Sequence, residues 1–118
     1  WRKGQIIAVG RCEWCLKKRK PEQLTVHEIG LGRGSNRWLA QDKPYSTLVV
    51  CVRKCHGIVQ NQAEAVELAV LQLRRPGEYN LAAHLFLTRP GAPKRIEQRE
   101  VDIEAAKLKE QIKSKLAL

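Results

Sequence analysis

The sequence predicts an α+β chain, in which a small β-containing module stapled by cysteines precedes two or three helices. Three observations carry this. Two short β-rich runs, "QLTVHEI" and "TLVVCV", lie within the first sixty residues. Two cysteine pairs, Cys12 with Cys15 and Cys51 with Cys55, frame those runs. From residue 63 onward the composition shifts to helix formers with apolar residues at helical spacing. A chain of 118 residues has room for one domain and a modest core. Residues 1–62 and 63–118 are therefore read as a module and a helical extension packed on it, forming one compact domain.

The elements follow in order. Residues 5–9 (QIIAV) are a short apolar run that leads through Gly10 into "RCEWC", and the basic run Lys17 to Lys20 stops at Pro21. "QLTVHEI" is rich in Thr, Val and Ile and ends at a cluster of glycines, so it reads as a strand. Residues 33–46 read as a long loop closed by "KPYS", "TLVVCV" as a second strand, and "CHGIVQN" as the start of a helix. Between Ala63 and Arg75, Val66, Ala69, Val70 and Leu73 recur at helical spacing before "RPGEYN" ends the segment. "LAAHLFLTR" is a short apolar helix stopped by "PGAP". A last helix runs from about Ile96 to Lys115, with Val101, Ala105, Leu108, Ile112 and Leu116 as its apolar stripe. That stripe faces either the core or a partner helix, the latter making a homodimer.

Charge is distributed unevenly. Residues 1–60 carry twelve basic and four acidic residues (+8), whereas residues 61–118 carry ten and eight (+2). Such a basic half points to a polyanion. Nucleic acid suits it better than a membrane, because no amphipathic basic helix or long apolar span coincides with the charge. The bland alternative is a generally basic protein. "WRKGQIIAVG" begins with charge, but its apolar run is too short for a signal peptide. The expected location is therefore cytoplasmic, where clustered cysteines serve as metal ligands more readily than as disulfides.

Cys12 and Cys15 have the C-x2-C spacing that lets one tight turn present two thiolates to the same ion, and Cys51 and Cys55 are a wider second pair. Four thiolates suit tetrahedral Zn2+. Joining positions about 40 residues apart also closes a long loop, which stabilises a core with only six aromatic residues. Free buried cysteines are the alternative.

The string "CEWC … LTVHEI … GRGSNR … LVVCVRKCHGIV" resembles the HNH endonuclease family in its zinc-bound form. In its "HEI" it is similar to a phage and bacterial subgroup, and the likeness covers roughly residues 10–62. The resemblance implies a ββα-metal module and metal-dependent hydrolysis of duplex DNA in a bacterial or phage-infected cell. It implies a second divalent ion besides the structural zinc: Mg2+, Mn2+, Ni2+ or Zn2+. His27 falls at the family's metal-ligand position, Glu28 at the position of its general base, and His56 at a second ligand position. Asn61, in the helix after His56, lies where some members carry a third ligand. Arg33 and Arg37, on the loop after His27, are placed to contact the phosphate backbone, and Lys17, Lys18, Arg19 and Lys20 are further candidates for DNA contact.

The sequence departs from the family in two places. The base position holds a carboxylate, which works near neutral pH only if burial raises its pKa; it could instead be the ligand, with His27 as the base. The family's middle Asn is absent, with Ser46 and Asn36 as the nearest polar residues. Blander readings stand beside these roles. His27 would cap a strand, His56 would be an alternative structural zinc ligand, His84 would be a satisfied histidine, and Trp14 and Trp38 would pack rather than stack on bases. The rival functions are a non-catalytic zinc-dependent nucleic-acid-binding module and a helical interaction protein.

Overall fold

A computed structural model describes residues 1–29, 43–88 and 96–116, with side chains through residue 111. The first element is a helix, α1 (Arg2–Val9), where the sequence showed only a short apolar run. Gly10 ends it in the left-handed conformation (φ 68°), its N–H returning to the Ile6 carbonyl at 2.8 Å. Glycine adopts that conformation without the clash a Cβ would bring. Ile6 and Val9 lean on the core while Ile7 is exposed, so one narrow apolar stripe suffices to seat the helix.

Two strands follow, β1 (Leu24–Glu28) and β2 (Thr47–Cys51), each preceded by a single 3-10 turn that begins with proline. They pair antiparallel, with Val26 opposite Val49, His27 opposite Leu48 and Glu28 opposite Thr47. All five residues of β2 are buried, so this strand is the centre of the molecule. A strand covered on both faces reads as a continuous apolar run rather than an alternating one, which is what "TLVVC" is.

Four more helices complete the described chain: α2 (Cys55–Val59), α3 (Glu64–Arg74), α4 (Leu81–Thr88) and α5 (Gln98–Leu116). Helix α3 packs on β2 and against α5, α1 packs on both strands, and α4 touches the Pro44–Ser46 turn. A single apolar cluster joins Val26, Leu48, Val49 and Val50 of the hairpin to Leu68 and Leu71 of α3 and to Val101 and Ala105 of α5. Over Val101 to Leu108, then, the stripe of the last helix is a core contact within the chain. Its continuation at Ile112 and Leu116 lies outside the described side chains. None of the described helices is long and apolar enough to cross a membrane.

A buried charge network ties the first cysteine turn to this core. Glu13 is 2% exposed. Its N–H donates to the Val49 carbonyl at 2.7 Å, and its Oε1 accepts the Val49 N–H at 2.8 Å. Glu13 thus satisfies the edge of β2 that faces away from β1, an edge that would otherwise bury an unpaired donor and acceptor. Arg75, just past α3, donates from Nε to Glu13 Oε2 at 2.7 Å and from Nη2 to the Thr47 carbonyl at 2.7 Å. Arg74 Nε reaches the Glu13 carbonyl at 2.9 Å.

Candidate metal centre and the adjoining histidine pair

The Cys12–Cys15 turn is closed by its own backbone. Leu16 N–H donates to the Cys12 carbonyl at 2.8 Å, and Cys12 N–H to the Lys17 carbonyl at 3.1 Å. Closure requires Leu16 at φ 65°, the one non-glycine residue with positive φ among the described residues. That conformation costs about 1 kcal/mol or more, a strain that the surrounding contacts must offset. The turn delivers Cys12 and Cys15 against Cys51, the last residue of β2, and Cys55, the first of α2.

All four Sγ atoms lie within 4.8 Å of one another. Cys15 Sγ and Cys51 Sγ are 3.7 Å apart. Four thiolates at about 2.3 Å from a tetrahedral ion stand about 3.8 Å from each other, so the sulfurs have the spacing that one ion requires. The backbone N–H groups of Cys15 and Cys51 both point at Cys12 Sγ, at 3.4 Å each. Donors aimed at sulfur favour the thiolate. The cluster could therefore hold a metal ion. It uses all four cysteines, which leaves His56 outside it and no cysteine spare.

The thiols differ in their electrostatics. Burial pushes the Cys55 thiol well above its ordinary value, helped by the neighbouring Cys12 and Cys15. Burial likewise raises Cys12, against opposing backbone donors at Cys15, Cys51 and Trp14. At Cys15 burial also acts upward, but the Lys17 backbone donor and the other three thiols together bring it down to about 7. In the free cluster Cys15 is thus nearer to thiolate at neutral pH than Cys12 or Cys55.

Beside the cluster lies a second group of polar residues. His27 occupies the fourth position of β1 and His56 the second position of α2, and their rings meet edge to face with centroids 5.4 Å apart. His27 is 8% exposed, and its Nε2 lies 2.7 Å from Oε1 of Glu67, itself 3% exposed, on α3. Glu28 is also buried but meets a different element: Arg2 of α1 donates to its Oε1 at 3.4 Å and to the Val26 carbonyl at 2.8 Å. Successive side chains on a strand point to opposite faces. His27 and Glu28 accordingly diverge, His27 toward α2 and α3, Glu28 toward α1.

A second histidine–glutamate pair stands one turn earlier on α3. His84 of α4, with 0% exposure, has Nε2 at 2.6 Å from Glu64 Oε2 and Nδ1 at 2.6 Å from Ser46 Oγ. Both ring nitrogens are used, so His84 is a satisfied core histidine. Ser46 likewise is a buried structural partner, closing the hairpin through its carbonyl to the Ile29 N–H at 2.8 Å.

Asn61 is exposed and its side-chain amide donates to the Gly57 carbonyl at 2.9 Å, capping α2. Lys17, Lys18 and Lys20 are exposed, Arg19 half-buried. Trp14 packs against the core. Arg33, Asn36, Arg37 and Trp38 lie outside the described residues.

Sequence reasoning missed Glu67, Glu13 and Arg75. The signal for Glu67 was available in part. It sits in "VELAVL", where apolar residues surround it, and a carboxylate buried there needs a donor. The partner could not be read, because it lies 40 residues away on another element. Set against protein-family models, curated proteins and solved structures, the chain finds no match in any of the three.

Proposed function

We propose that this protein is a metal-dependent endonuclease of the HNH type that hydrolyses DNA phosphodiester bonds. Zinc at Cys12, Cys15, Cys51 and Cys55 would hold its hairpin together. The observation that supports the reading most directly is the meeting of His27 and His56, with centroids 5.4 Å apart, one near a strand end and the other at a helix start beside the cysteine cluster. The antiparallel hairpin followed by α2 is the arrangement that the resemblance implies.

His56 is the residue that would hold the divalent ion. Bound there, such an ion supplies positive charge to the scissile phosphate. His27 acts as the general base in this reading, because Nε2 is committed to Glu67 and Nδ1 has no hydrogen-bond partner among the described residues. Glu28, turned toward Arg2, anchors α1 instead of taking a proton. The exposed Lys17, Lys18 and Lys20, with Arg19, would lie along the DNA backbone, and Arg33 and Arg37 belong to the same proposal.

One observation favours a second reading, a non-catalytic nucleic-acid-binding protein on the same scaffold: His27 and Glu28 are both buried and both engaged by protein partners. Incubating supercoiled plasmid with the protein and a series of divalent ions separates the two. The nuclease reading expects ion-dependent nicking that His27→Ala and His56→Ala each abolish. Retention of DNA without nicking above those variants would establish the binder in its place.

A further inference from the structure

We infer that Glu67 is the positioning residue of His27, fixing its tautomer and its ring orientation. The inference rests on the nuclease reading for its consequence, but on geometry for its substance. A glutamate carboxylate only accepts hydrogen bonds, so the 2.7 Å contact makes His27 Nε2 the donor. In the neutral ring the electron pair is then left on Nδ1. The side chains of His27 and Glu67 are 10% and 4% exposed, and water competes poorly for a charge-assisted bond so placed.

His84 supplies an internal comparison. It too faces a glutamate on the first turn of α3, yet Ser46 takes its other nitrogen and its exposure is 0%. Both nitrogens of His84 are thus taken. His27 differs on both counts: Nε2 is committed, Nδ1 has no hydrogen-bond partner among the described residues, and its ring abuts His56 with some surface remaining. Two carboxylates one helical turn apart thus do different work, Glu64 joining α4 to α3 through His84 and Glu67 orienting a ring whose Nδ1 has no partner among the described residues. Among the described residues His27, His56 and Glu67 do not form a ready three-donor metal cluster. The 2.7 Å separation is a hydrogen bond, shorter than the spacing of about 3 Å or more between two ligands of one ion. Glu67 acts through His27, not on a metal.

The test uses the full chain and exploits its having three histidines. Side-chain nitrogen NMR of the wild-type protein should show His27 as the Nε2–H tautomer, and Glu67→Ala should mix the two tautomers while the metal content stays unchanged. In plasmid nicking, Glu67→Gln should lower kcat by about 10- to 100-fold with KM within about twofold, and Glu67→Asp should recover part of that loss. A wild-type Nδ1–H tautomer would overturn the inference. So would a Glu67→Ala spectrum with an unchanged tautomer, or a Glu67→Gln activity that falls only with the folded fraction. If the wild-type protein does not nick DNA, the nuclease reading fails, while the tautomer measurement still decides the role of Glu67 toward His27.

Discussion

Arg75 and Glu13 stand 62 residues apart in the chain and form a buried ion pair, Nε to Oε2 at 2.7 Å, with side-chain exposures of 12% and 3%. The pair joins the end of α3 to the first cysteine turn, and Glu13 carries the connection on to Val49 in β2. Removing one partner of a buried pair leaves the other charged and unpaired, which costs about 3–5 kcal/mol. Glu13→Ala should therefore lower the unfolding free energy by about 3 kcal/mol or more in urea titration of the metal-loaded chain. A loss below about 1 kcal/mol would mean that the pair is solvated in solution.

The ordering of the thiols is open to direct measurement. With the metal chelated, Cys15, lowered to about 7, is partly thiolate at pH 7.5, whereas Cys12 and Cys55 are raised by burial and remain protonated. Because the thiolate is the reactive form, iodoacetamide should label Cys15 ahead of Cys12 and Cys55, as read by peptide mass spectrometry. Metal uptake must then displace protons from Cys12 and Cys55, so apparent affinity should fall as the pH is lowered.

On the proposed function, Lys17, Lys18 and Lys20 contact DNA phosphates. Each phosphate contact contributes about 0.9 to the slope of log K against log salt. Replacing all three by alanine should flatten that slope by about 2 to 3 and weaken binding to unrelated sequences alike. An unchanged slope would assign the run to a solvated turn.

Much of the architecture was legible because local chemistry and tertiary need agree there. "QLTVHEI" and "TLVVCV" form the two strands, and the four cysteines converge as their spacing implied. Helices 64–74, 81–88 and 98–116 fall where the periodicity put them. The first helix was not legible, since eight residues of mixed character are held by packing on the hairpin and a glycine stop rather than by pattern. On α3 the spacing picked out Val66 and Leu73, which are only half-buried, and passed over Leu68 and Leu71, which are buried. The helix is covered by β2 on one side and α5 on another, so a single-stripe reading fails. The same cause hid Glu67. As for the hairpin dipeptide, the sequence places His27 and Glu28 side by side, and only the pleat separates them, one toward Glu67 and the other toward Arg2.

The approach of His27 to His56 depends on the cysteine cluster, which fixes the first turn to the end of β2 and the start of α2. Native mass spectrometry of the purified chain, with thermal unfolding before and after chelation, tests that dependence most directly. The account predicts one zinc per chain, lost in Cys12→Ser, and a cooperative transition that chelation moves to a markedly lower temperature. A chain that carries no metal and unfolds at the same temperature with and without chelator would contradict it.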